Sequence, residues 1–113
     1  MNDRTGFGPV ISRSRKAKGL SQRELAALVR REDGAAISPQ YLNDIERGRR
    51  NAPPDHLVRQ FAAVLGIDPD YLFSLANRLP EDLRDDIREG RLSEDDVSEV
   101  MMAFRGRRDK GDG

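Results

Sequence analysis

Two short segments constrain the fold more than any other part of the chain. They are Gly19-Leu20-Ser21-Gln22-Arg23-Glu24-Leu25-Ala26 and Ile37-Ser38-Pro39-Gln40-Tyr41-Leu42-Asn43-Asp44-Ile45-Glu46-Arg47-Gly48. In the first, Ser21 and Glu24 have the Ser-x-x-Glu spacing at which each side chain satisfies a free backbone N–H of the other at a helix start. In the second, Ser38 is a cap and Pro39 takes the first helical position, where a missing N–H costs nothing. Gly48 is the stop. Each segment is expected to be a short helix. Leu25, Ala26, Leu28 and Val29 supply the buried stripe of the first, and small Ala26 lets a neighbouring helix approach closely. Ile37, Leu42 and Ile45 turn the second toward a core, while Gln40, Tyr41, Asn43, Asp44 and Arg47 point elsewhere.

The flanking sequence continues the helical pattern. After a loose stretch at 1–6, a helix is expected from about Pro9 to Lys18, with Val10 and Ile11 inward and Gly19 as its stop. Its outer face is basic: Arg13, Arg15, Lys16 and Lys18. Residues 30–36, polar and containing Gly34, read as a loop. Pro53-Pro54 start a fourth helix that buries Leu57, Phe61, Val64 and Leu65 and ends at Gly66. Asp68-Pro69 open a fifth that buries Tyr71, Leu72 and Leu75. Neither strand alternation nor an internal repeat is present, so the class is all-α.

Pro80 restarts the chain in an acidic register, with Leu83 and Ile87 on one side and Glu81, Asp82, Asp85 and Asp86 on the others. Ser93-Glu94-Asp95-Asp96 is a second capping box, with extra negative charge at the positive end of the helix. Val97, Val100, Met101 and Phe104 then recur at i, i+3, i+4 and i+7, a stripe that must be covered. The expected organisation is a flexible N-terminus at 1–6, a five-helix domain at 7–78, a helical segment at 79–105 for dimerisation or partner docking, and a disordered tail at 106–113.

A length of 113 residues allows one small domain plus an appendage. Charged residues are 35% of the chain, so the core must be small. No apolar run approaches the roughly 18 residues that span a bilayer, and the N-terminus has no signal-peptide core. Without Cys there is neither a disulfide framework nor a thiolate metal site. A cytoplasmic protein with no membrane contact is expected. The zero net charge is unevenly spread: residues 1–60 hold 12 Lys/Arg against 7 Asp/Glu, a net of +5, and residues 61–113 hold 8 against 13, a net of −5. That asymmetry fits one face for a polyanion and another kept off it, and equally fits chance clustering on a highly charged surface. His56, the single histidine, stands beside Asp55 at an expected surface position with no partner at metal-ligand spacing. Ser/His/Asp, Cys nucleophile and phosphate-cradling glycine patterns are all missing. An enzyme is not expected, nor is a cofactor or metal.

Residues about 7–76 resemble the Xre/Cro-like helix-turn-helix repressors of bacteria and their phages. The resemblance rests on Arg15-Lys16-Ala17-Lys18-Gly19-Leu20-Ser21-Gln22, Glu24-Leu25-Ala26, Ile37-Ser38 through Ile45-Glu46-Arg47-Gly48-Arg49-Arg50, and Leu65-Gly66-Ile67, in that order and spacing. It implies a phage-repressor-like fold in which helix 38–47 enters the major groove of double-stranded DNA. By position, Pro39, Gln40, Tyr41, Asn43 and Asp44 would then face the bases, and an amide at Gln40 or Asn43 would suit adenine. Tyr41 has a second reading as partly core or stacked on the backbone. Asp44 would accept from a cytosine or orient an arginine such as Arg47. Gln22, Arg23, Ser38, Arg47, Arg49, Arg50 and Asn51 match positions toward the sugar-phosphate backbone. Glu46 is expected to pair inside the domain with Arg15 or another basic residue. The chain departs from the family in its turn: seven residues lie between Val29 and Ile37, including Arg30 and Arg31, where a tight turn is usual. They form a solvent loop or else reach a further phosphate, and they leave the angle between the two helices open.

The resemblance implies a sequence-specific transcriptional regulator, a repressor acting as a homodimer at the nucleoid. Val97, Val100, Met101 and Phe104 would form the dimer or partner interface, unless the last helix folds back on its own domain. A second reading keeps the fold and makes the chain an antitoxin that autoregulates its operon and holds a toxin through its acidic C-terminal region. A non-specific chromosome-organising role is argued against by the neutral overall charge.

Overall fold

The computed structural model describes residues 6–110, with side chains described through Arg105. Helix α1 (Phe7–Ala17) starts ahead of the expected Pro9 because Phe7 is drawn into the core. Its ring meets that of Phe61 edge-on, with centroids 6.4 Å apart. The helix closes at Gly19, whose φ of +73° suits glycine and lets its N–H and that of Leu20 turn back onto the Lys16 and Arg15 carbonyls. Arg15, expected on the basic outer face, is instead buried.

Helix α2 (Gln22–Leu28) begins with both halves of its box in place: Ser21 N–H donates to Glu24 Oε1 at 2.8 Å, and Glu24 N–H donates to Ser21 Oγ at 3.0 Å. Leu25, Ala26 and Val29 are buried, but Leu28 is 51% exposed. At about 100° per residue the first three share one face and Leu28 falls on its flank. Helix α3 (Pro39–Glu46) is capped as expected, with Tyr41 N–H donating to Ser38 Oγ at 3.0 Å. Ile37, Leu42 and Ile45 enter the core.

The stretch between α2 and α3 is not a free loop. Arg30 and Ala36 form an antiparallel bridge, and Ile37 N–H donates to the Val29 carbonyl at 3.0 Å, which closes the excursion at its base. The small hairpin is also tied to the next helix: Arg30 N–H donates to Gln60 Oε1 at 3.1 Å, and His56 Nε2 donates to the Arg30 carbonyl at 3.0 Å. His56 is thus a structural brace.

Helix α4 (Asp55–Leu65) buries Leu57, Phe61 and Leu65 as expected, with Val58 and Ala62 added and Val64 only half-buried. Helix α5 (Pro69–Leu75) buries Leu72 and Phe73 and leaves Tyr71 40% exposed. The expected stripe of Tyr71, Leu72 and Leu75 is therefore rotated by one residue. Two aromatics flank Leu72, and the apolar ring goes inside while the phenol keeps its hydroxyl near water. After α5, Arg78 bonds to Asp55 Oδ1 at 2.6 Å and to the Pro53 carbonyl, pinning the end of this unit to the start of α4.

The first compact unit runs to Arg78 and the second begins at Leu79. In the second, Pro80 precedes α6 (Glu81–Arg88), and α7 (Glu94–Lys110) follows. Ser93 and Asp96 form the expected box, Ser93 N–H to Asp96 Oδ2 at 3.2 Å and Asp96 N–H to Ser93 Oγ at 3.1 Å. The tail expected to be disordered from Gly106 is helical as far as Lys110. One glycine costs a helix only about 1 kcal/mol. The expectations for 1–5 and 111–113 lie outside the described residues. Among the described residues no helix is long and apolar enough to cross a membrane.

Candidate nucleic-acid interface

The exposed side of α3 is held by a chain of polar contacts reaching through all three N-terminal helices. Arg15 Nε donates to Glu46 Oε2 at 2.7 Å and its Nη2 to Oε1 at 3.0 Å, a two-pronged pairing of the kind that fixes orientation. Its Nη1 donates to the Leu20 carbonyl at 2.8 Å. One guanidinium thus ties α1, the entry to α2 and the end of α3. The Arg15–Glu46 pairing expected from sequence is present, with the two side chains only 10% and 5% exposed.

Gln22, at the start of α2, continues the chain. Its Nε2 donates to Asn43 Oδ1 at 3.2 Å and to Glu46 Oε1 at 3.0 Å. Arg47 Nε also donates to Asn43 Oδ1, at 3.2 Å. The Asn43 oxygen therefore holds two donors already, and the amide N–H groups are what it has left to offer. Ser12, Lys16, Gln22, Asn43 and Arg47 surround a shallow polar cleft of about 290 Å³ above the buried pair. Ser12 was not singled out in the sequence. Its signal was the spacing to Lys16, which puts the two on one face of α1.

Backbone packing sets the position of α3 as firmly as these bonds do. Gly8 is buried against the end of α3, where a Cβ would lie 2.4 Å from the Ile45 carbonyl oxygen and 2.8 Å from that of Glu46. Only glycine admits so close an approach.

On the outward side, Pro39 and Gln40 are exposed and Asp44 is half-buried. Gln40 Nε2 donates to Asp44 Oδ1 at 3.0 Å. The amide is held in one rotation, yet its oxygen and second N–H remain available as an acceptor–donor pair. Asp44 faces neighbouring arginines, though not Arg47, the example given: Arg49 lies at 3.9 Å and Arg50 at 3.7 Å. The reason is local: the chain turns back past Gly48, and Arg49 N–H donates to the Asp44 carbonyl at 2.8 Å. Two arginines thereby offset the carboxylate. Tyr41 is half-buried, packed on the core with the Arg50 guanidinium 5.0 Å from its ring centre. Its place matches the partly core reading.

Ser38 Oγ is engaged as the cap, while Arg23, Arg47, Arg49, Arg50 and Asn51 are exposed, Asn51 bordering a separate hollow with Phe7 and Leu75. Exposed arginines and amides on and beside α3 make a surface suited to a polyanion with readable polar edges. In the second unit Val97, Val100, Met101 and Phe104 are half-buried. No group of three or more His, Cys, Asp and Glu able to hold a metal occurs among the described residues.

Comparison with known proteins agrees with this geometry. A helix-turn-helix family model matches residues 11–72. An uncharacterized HTH-type transcriptional regulator of Sinorhizobium fredii, y4dJ, is 34% identical over 80 residues, covering 71% of this chain and 95% of that protein. No solved structure matches significantly.

Proposed function

The chain belongs to the Xre/Cro-like helix-turn-helix family of DNA-binding transcriptional regulators, and from that premise we propose that it is a sequence-specific repressor acting as a homodimer, with α3 in the major groove. The observation that carries this reading is the Gln40 amide, exposed on α3 and fixed by Asp44 with its acceptor–donor pair free. That pair matches N6–H and N7 of adenine. Pro39 and the N–H groups of Asn43 flank it. Arg47, Arg49 and Arg50 grip phosphates on one side, and Gln22, Arg23 and Lys16 do so across the polar cleft. Asp44 acts chiefly by holding Gln40 and the two arginines, and Tyr41 by supporting Arg50. The family is one of regulators rather than enzymes, and no catalytic role is proposed.

Selection of bound sequences from a random duplex pool tests this. The expected result is an inverted repeat with half-sites centred about 34 Å, one helical turn, apart. A pool that remains random after several rounds overturns the proposal.

A further inference from the structure

An asparagine amide that is free to rotate offers a donor beside an acceptor and can turn to suit several bases. The amide of Asn43 is not free, because two separate contacts decide which end faces outward. Arg47 Nε, which can only donate, lies 3.2 Å from Asn43 Oδ1. Gln22 Nε2 donates to the same oxygen at 3.2 Å. Gln22 is itself held with its nitrogen inward, since that Nε2 also donates to Glu46 Oε1 at 3.0 Å. The Glu46 carboxylate, buried in its two-pronged pairing with Arg15, can only accept.

The orientation is relayed from the buried pair to the surface, through Glu46 and Gln22 to Asn43. Turning the Asn43 amide over would set its N–H groups against those of both Gln22 and Arg47. Its Nδ2 is left without a partner among the described residues and is not sealed from water. Gln40 stands three residues earlier on the same face of α3, about 4.5 Å along the axis. There the constraint falls on the nitrogen: Nε2 donates to Asp44 Oδ1, and the oxygen stays open. Successive base pairs of a duplex are spaced about 3.4 Å apart. The two amides are therefore set for neighbouring base pairs, one as an acceptor–donor pair and the other as donors alone.

We infer that Asn43 selects guanine at the base pair next to the one read by Gln40. Guanine shows two acceptors, N7 and O6, at its major-groove edge, so a group that only donates meets no opposing donor there. Adenine puts its N6–H groups where the second acceptor would be, and cytosine offers a donor. Thymine has O4 alone, with a methyl group beside it. Arg47 uses only Nε to hold Asn43, and its terminal N–H groups stay available for phosphate. This inference rests on the entry of α3 into the major groove proposed above and specifies a second base that α3 reads.

Competition binding on the duplex recovered from a random pool tests this. Each half-site is expected to hold a guanine beside the adenine whose preference Gln40→Ala relaxes. Replacing that guanine by adenine should weaken wild-type binding about tenfold. Asn43→Ala should bind the two duplexes about equally, with its helicity followed by circular dichroism. A second measurement needs no variant: 7-deazaguanine at the same place lacks the N7 acceptor and should also weaken wild-type binding. A half-site with no guanine beside the Gln40 adenine, an Asn43→Ala protein that still prefers guanine, or an unchanged affinity for the 7-deaza duplex overturns the role of Asn43 and leaves α3 in the groove. A pool that stays random overturns both.

Discussion

Arg15 and Glu46 illustrate how much of the interface is decided by a single side chain. The guanidinium satisfies a carboxylate and a backbone carbonyl at once, and the carboxylate also takes a bond from Gln22. Removing either partner strands the other where water has little access, so Glu46→Ala should cost about 3–5 kcal/mol in urea unfolding. The double variant Arg15→Met/Glu46→Leu should lose much less than the two single truncations together. Strictly additive losses would show that the two groups do not depend on each other. Gln40 differs in kind, being exposed and adding little to folding. Gln40→Ala should weaken cognate binding by about 1–3 kcal/mol and relax preference at one base pair. An equal loss on random duplex would refute base reading by this residue.

Among the helices, tolerances are tightest where α1 meets α3. A methyl at Gly8 would lie against backbone oxygens that cannot swing aside, so Gly8→Ala should cost about 1–3 kcal/mol and displace α3. Thermal unfolding and DNA affinity should both fall, and an unchanged melting temperature would contradict the close approach. The start of α2 offers a pH handle. Bonding to the Ser21 backbone N–H, then to its hydroxyl, holds the Glu24 carboxyl below its ordinary range. A carboxyl whose folded value is lowered stabilises the fold above its unfolded value, and that contribution is lost as pH falls through the folded one. The stability gap between wild type and Glu24→Ala should therefore be full at neutral pH and close in acid; a pH-independent gap would mean the charge plays no part. These elements also show what could be read in advance. Caps at Ser21, Ser38 and Ser93 were legible because their chemistry is local. The inward turn of Arg15, the outward turn of Leu28 and the choice of Phe73 over Tyr71 were not, because each depends on which neighbour the helix meets. Likewise an arginine partner for Asp44 was legible, but which arginines it faces was fixed only by the turn at Gly48.

For the molecule as a whole, the excess of base over acid in residues 1–60 and the reverse in residues 61–113 predict binding that responds steeply to salt. Arg49→Ala and Arg50→Ala should each weaken binding to all duplexes alike and shallow the logarithmic salt slope by about one unit; an unaltered slope would take those arginines off the phosphates. The hairpin at 30–36 has a different bearing on the whole. Its two ends are already joined by the Ile37–Val29 bond, so the tilt of α2 against α3 does not depend on how many residues travel between them. The tip around Glu32 and Asp33 is in effect a splice point. Foreign peptide, a fluorophore or a purification handle placed there would ride on the protein without disturbing how α3 is presented.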